Sequence, residues 1–162
     1  MLNKHPRALI IGLGNELRGD DALGRIAARR LRHRVDPDQV DVIDQTAPAP
    51  ELAVPIAKSS LVIFLDASSD GPVDQVISRQ LHAPDWIEAM THRHDPPALV
   101  GLARYLYGHA PPAFVVTFRG RSFDFGDCSL SPQAAVASEL VVEAALAIIT
   151  ESQRAEINGF ES

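Results

Sequence analysis

The sequence predicts an α/β three-layer sandwich, a mostly parallel twisted sheet with helices on both faces. Three observations carry that prediction. Ala8 to Leu13 (ALIIGL) is a continuous apolar run set among glycines, and Leu61 to Leu65 (LVIFL) is a second. Runs of this kind read as strands buried on both faces, as parallel strands are. Between and after them, short β-rich segments alternate with stretches of helical periodicity, the pattern of repeated strand–helix units.

The elements follow in order. After the first strand, a helix is expected over 21–32, with Leu23, Ile26, Ala27 and Leu31 on one face and the arginines mostly elsewhere. Val40 to Asp44 (VDVID) alternates and reads as a second strand. The proline-rich stretch 48–57 suits a short helix with Leu52 and Ile56 facing inward. The third strand, 61–65, ends at Asp66, and 75–80 forms a weaker strand nearer an edge. Pro96 and Pro97 fit the first turn of a helix over 96–107, and Gly108 stops it. Leu99, Leu102, Ala103 and Leu106 should form its buried stripe. A further strand covers 113–118. A last helix covers 132–149, with Val136, Leu140, Ala144 and Ile148 recurring every four residues, and the polar residues 151–162 should fray.

A chain of 162 residues is one domain's worth, with a core spanning about 7–150. Its 46% apolar and 22% charged residues are those of a soluble globular protein. The net charge of -6 leaves no surplus of Lys and Arg for nucleic-acid phosphates. Cys128 is the only cysteine, so an intramolecular disulfide or a cysteine-based zinc site is excluded, and the residue reads as inert. No long unbroken apolar run suggests a membrane span, and the polar N-terminus is unlike a signal peptide, so the expected location is the cytoplasm.

In such sheets chemistry collects beyond the carboxyl ends of the strands. Two carboxylates stand there by sequence, Asp21 after the first strand's loop and Asp66 at the end of the third. The loop Gly12, Leu13, Gly14 begins like a dinucleotide-binding turn, but Leu17 holds the place of the third glycine and the connection to the helix is too long. Asp20 or Asp21 can cap the helix that follows. Capping does not account for a second aspartate or for nearby Glu16, and crowded carboxylates also suit a cation. Asp66, at the rim of a buried strand, needs a partner or a raised pKa unless it caps the next loop. Thr91, His92, Arg93, His94 and Asp95 precede a helix. In isolation they read as a solvated loop, but with two strand-end carboxylates they can complete an oxygen-and-imidazole site suited to zinc, nickel or iron. His5, His33, His82 and His109 read as surface residues. The sequence contains neither Gly-x-Ser-x-Gly nor His-Glu-x-x-His, which argues against serine-hydrolase and zincin chemistry.

The run Gly12, Leu13, Gly14, Asn15, Glu16, Leu17, Arg18, Gly19, Asp20, Asp21, Ala22, Leu23, Gly24 resembles the N-terminal signature of the hydrogenase maturation endopeptidases. Glu51 to Ala53, the strand ending Asp66–Ala67, Thr91–His92 with the helix to Gly108, and Leu130–Ser131 resemble later segments of that family in the same order. The likeness covers about residues 7–150. It departs at Asp44, Gln45, Thr46, where many members carry a glycine, and this bears on which hydrogenase subclass is processed. The resemblance implies a five-stranded α/β fold and removal of a C-terminal extension from a [NiFe]-hydrogenase large-subunit precursor. It implies Asp21, Asp66 and His92 as the metal-contacting positions, with Asp21 and Asp66 also the catalytic candidates. The nickel would be supplied by the precursor, with other divalent metals able to substitute. Neither nucleic acid nor a membrane is an expected partner, and a monomer is expected. The rival reading is a metal-sensing maturation chaperone that binds the precursor without cutting it.

Overall fold

The computed structural model describes residues 7–84 and 95–159. Five strands form one sheet in the order β2-β1-β3-β5-β4. These are β1 (Ala8–Leu13), β2 (Val40–Gln45), β3 (Leu61–Ser68), β4 (Val76–Leu81) and β5 (Ala113–Arg119). β1 is parallel to β2 and β3, β3 is parallel to β5, and only the edge strand β4 runs antiparallel to its neighbour. The mostly parallel five-stranded sheet is therefore as expected.

Alternation along the strands divides the core in two. Ile10, Leu61, Ile63, Leu65, Val116 and Phe118 face α1 (Leu23–Arg32) and the last helix α4 (Pro132–Gly159). Leu9, Ile11, Leu13, Val62, Phe64 and Val115 face α2 (Ala53–Ala57) and α3 (Pro96–Tyr107). Leu52 and Ile56 are buried on the second face, as the short-helix reading requires. Gly108 ends α3 in the left-handed conformation at φ 71°, the backbone shape that favours glycine at a helix terminus.

Four expectations need correction. β3 does not end at Asp66: it continues to Ser68, because β5 extends alongside and pairs Asp66 with Thr117 and Ser68 with Arg119. On α3, Leu99 and Ala103 are buried but Leu106 is 53% exposed. On α4, Val136 and Leu140 are exposed, while Ala134, Ala137, Ser138, Val141, Val142, Ala145 and Ile149 carry the contact. Finally, α4 does not stop at Ile149 but runs to Gly159, its last turns exposed. By length and composition α4 could also cross a membrane, but it packs along the sheet as a core helix, with 39% of its most apolar stretch buried in the protein itself.

Candidate functional site

The loop leaving β1 folds back against itself because its glycines leave room for backbone. A Cβ on Gly14 (φ 138°) would lie 1.7 Å from the Asp21 carbonyl oxygen, and one on Gly24 would lie 2.1 Å from the Leu65 oxygen and 2.4 Å from the Leu13 oxygen. Neither contact is sterically possible for a residue with a side chain. Bare glycine backbone thus lets the start of α1 sit directly on the carboxyl ends of β1 and β3. Asp21, three positions before Gly24, is brought to the same corner as Asp66, the residue after Leu65.

The two aspartates of the signature do not cap helices. A 3-10 turn (Gly19–Ala22) precedes α1, and neither it nor α1 has a side-chain cap at its N-terminus. Asp20 is fully buried and points into a later loop. One carboxylate oxygen accepts the Ser131 N–H at 2.7 Å; the other accepts the Ser131 hydroxyl at 2.8 Å, the Arg121 N–H at 2.7 Å and the Ser122 N–H at 3.4 Å. Burial alone pushes its carboxyl up, but these donors outweigh burial and hold it below its usual pKa.

Glu16 is neutralised differently. Arg29 and Arg25 of α1 both bind it, and the Arg29 hydrogen bond is the main reason its pKa is lowered. The same helix face holds Asp44 at the end of β2, which accepts from Arg25 Nε at 3.2 Å, Arg29 Nε at 3.0 Å and Arg32 Nη2 at 3.0 Å. Burial raises the Asp44 carboxyl and these guanidiniums outweigh it. The crowding of Glu16, Asp20 and Asp21 is thus relieved within the protein for two of the three. Sequence reading missed these partners, although Arg25, Arg29 and Arg32 sit at the helical spacing that one buried acid can use.

Asp21 and Asp66 are left. Asp21 accepts only the Asn15 N–H, at 3.0 Å, among the contacts of the described residues. Among the described residues Asp66 accepts only the N–H of its neighbour Ala67, at 2.8 Å. It does not cap the loop beyond β3, which is tied instead by Ser68 to Asp70 and by Arg119 to the Gly71 carbonyl. Burial at the sheet edge pushes the Asp66 carboxyl up to about 7, with the Asp21 charge adding to the rise against the Ala67 hydrogen bond. Among the described residues neither aspartate has a cationic partner. Two oxygen-donor carboxylates at one corner fit a divalent cation. His92 and His94 lie outside the described residues, and among the described residues no group of three His, Cys, Asp or Glu side chains converges.

No protein-family profile matches the chain, and no curated protein matches it. Solved structures do. The hydrogenase maturating endopeptidase HybD from E. coli is 25% identical, with a TM-score of 0.70 over 90% of this chain and 93% of that one. The [NiFe] hydrogenase maturation protease HybD from Thermococcus kodakarensis is 22% identical, with a TM-score of 0.67 over 88% of this chain and 98% of that one. The hydrogenase 2 maturation peptidase from Thaumarchaeota archaeon SCGC_AB-539-E09 gives 22% identity and a TM-score of 0.65 over 88% and 97%. This chain shares its fold with the E. coli hydrogenase maturating endopeptidase along nine-tenths of its length (90%), and the Gly12 to Gly24 run, which resembles the signature of the hydrogenase maturation endopeptidases, stands at the carboxyl edge of the sheet.

Proposed function

We infer that this chain is an endopeptidase that removes the C-terminal extension of a nickel-loaded [NiFe]-hydrogenase large-subunit precursor, acting in the cytoplasm. The observation that carries the reading is electrostatic. Glu16, Asp20 and Asp44 all have their charge balanced, whereas Asp21 and Asp66 share a corner with one N–H apiece. Such a pair is ready for a cation that arrives with the substrate.

In this reading the precursor's nickel is held by Asp21 and Asp66, with His92 as the third contact. The metal belongs to the substrate, so contact with it reports that the precursor is loaded; other divalent ions of similar ligand preference would substitute. Positive charge there offsets the repulsion between the two carboxylates and can polarise a nearby carbonyl or water. An aspartate of this pair is the candidate to act as general base on a water near the metal. The raised Asp66 carboxyl, near 7, belongs to the metal-free protein, and a bound cation lowers it.

The test is to incubate the protein with nickel-loaded and nickel-free large-subunit precursor and follow the precursor's mass. Loss of the C-terminal extension from the loaded form alone supports the reading. Tight binding of the loaded precursor with no mass loss would make the chain a metal-sensing chaperone instead.

A further inference from the structure

We propose that the groove beside Asp66, floored by β5 and β4, binds the substrate peptide next to the scissile bond through Arg79 and Arg119, and that it selects a carboxylate there. The proposal rests on the endopeptidase reading above and adds a specificity subsite to it.

The placement comes from strand register. Asp66 pairs with Thr117 on β5, and Thr117 pairs with Ile77 on β4. All three lie on the α2 and α3 face of the sheet, since their strand neighbours Phe64, Val115 and Leu81 belong to that core. A groove of about 300 Å³ opens on this half of the face. Thr117, Ile77, Ser68, Gln75, Arg79 and Arg119 line it, and among the described residues no helix residue does. It therefore begins on β3 itself, at Ser68 two residues beyond Asp66, and runs to the sheet edge. Strands lie about 4.8 Å apart, so β3 to β4 spans roughly 10 Å, the reach of about three extended residues.

Its charge points to the ligand. Arg79 is exposed, and among the described residues its guanidinium makes no ion pair or hydrogen bond. Arg119 spends one Nη1 hydrogen on the Gly71 carbonyl at 3.0 Å, and its remaining donors are not engaged by an acid. Among the described residues Asp70 is the one acid in the lining, against two guanidiniums. In a protein of net charge -6, where most arginines of α1 are paired to acids, two such arginines flanking an acidic site are selective for a group of opposite sign. A peptide carboxylate about three residues from the scissile bond meets that requirement. It can be an Asp or Glu side chain or a free C-terminus.

The experiment uses a fluorescein-labelled peptide copying the precursor's C-terminal extension and its flanking residues. Three forms are compared by anisotropy: unchanged, with its Asp and Glu residues replaced by Asn and Gln, and with an amidated C-terminus. The unchanged peptide should bind, and one neutralised form should bind about tenfold more weakly, the loss of one charge-assisted hydrogen bond. The form that weakens identifies the carboxylate. In Arg79→Ala the three forms should bind alike, and with Arg79→Glu the KM for nickel-loaded precursor should rise about tenfold or more with kcat much less affected. Equal binding of all three peptides to the unaltered protein, or unchanged discrimination in Arg79→Ala, overturns the subsite. If the unaltered protein fails to cut loaded precursor, the endopeptidase reading falls on that result, while the peptide comparison still decides the groove.

Discussion

Ser131 donates both its backbone N–H and its hydroxyl to the carboxylate of Asp20, a residue 111 positions earlier in the chain. The same serine hydroxyl accepts the N–H of Ala134 in the first turn of α4, at 3.2 Å. The signature loop, the 120–131 loop and the start of α4 are therefore joined at one buried charge. Asp20→Asn turns one acceptor oxygen toward N–H donors as an amide and should cost about 2–4 kcal/mol, since it leaves buried donors unmatched. Ser131→Ala removes one donor and should cost about 1–2 kcal/mol. Because the Asp20 pKa is lowered on folding, its contribution is present above the unfolded carboxyl pKa and is lost as pH falls toward the folded value. Urea melts at pH 7 and pH 3 check both. An Asp20→Asn protein as stable as the original at pH 7 would show the carboxylate to be dispensable.

Gly24 supports the site through its lack of a side chain. Gly24→Ala places a Cβ 2.1 Å from the Leu65 oxygen, on a strand that cannot yield. The start of α1 must lift from the sheet, at a cost of about 3 kcal/mol or more. Gly71, by contrast, has open space around the same position but a φ of 100°, so Gly71→Ala pays only for backbone strain. Thermal denaturation of the two variants should place Gly24→Ala well below Gly71→Ala.

Asp66 makes stability fall as pH rises. Its folded carboxyl titrates near 7, raised first by burial and then by Asp21, against a usual value of 3.8. Between these values the folded state binds the extra proton, so the favourable difference is complete below about pH 4 and is lost as pH climbs to about 7. Asp66→Asn abolishes that dependence. It should gain on the order of 3 kcal/mol relative to the unaltered protein between pH 4 and pH 8. Metal-free protein in chelator is the sample, and parallel pH profiles for the two proteins would refute the shift.

Asp21→Asn tests charge against shape. The asparagine oxygen can still accept the Asn15 N–H that Asp21 accepts at 3.0 Å, so the melting temperature should stay within about 3 °C. Processing of loaded precursor should vanish, because the negative charge facing Asp66 is gone. Normal processing by this variant would remove Asp21 from the site.

His92 and His94 are separated by alanine variants. His92→Ala is expected to lose precursor processing and nickel affinity, with His94→Ala near normal in both. Imidazole binds metal as the neutral ring, so the affinity that the ligating histidine supplies should decline as pH falls below its pKa. The reverse pattern transfers the role to His94.

Much of this was legible in the residues themselves. Strands buried on two faces must be apolar throughout, so 8–13 and 61–65 declared themselves, and Pro96, Pro97 and Gly108 marked the ends of α3 through fixed φ and left-handed φ. The spacing of the Gly12 to Gly24 signature singled out Asp21 as a candidate, and the fold brings it beside Asp66. The buried face of α4 was misread because a strict four-residue row drifts about 40° per step on a 3.6-residue helix. Val136 and Leu140 therefore swing outward, and the alternating steps through Ala134, Ala137, Ser138, Val141 and Ala145 make the contact. Glu16, Asp20 and Asp21 are chemically alike and adjacent, and nothing local assigns them different fates. Arg25 and Arg29 neutralise the first and the N–H groups of Arg121, Ser122 and Ser131 hold the second. Only Asp21 is left to meet Asp66. The sequence by itself determined which groups could carry charge at the sheet edge. Tertiary structure alone decided which of them keep it uncompensated, because a carboxylate's charge is balanced by partners that the fold brings from far along the chain.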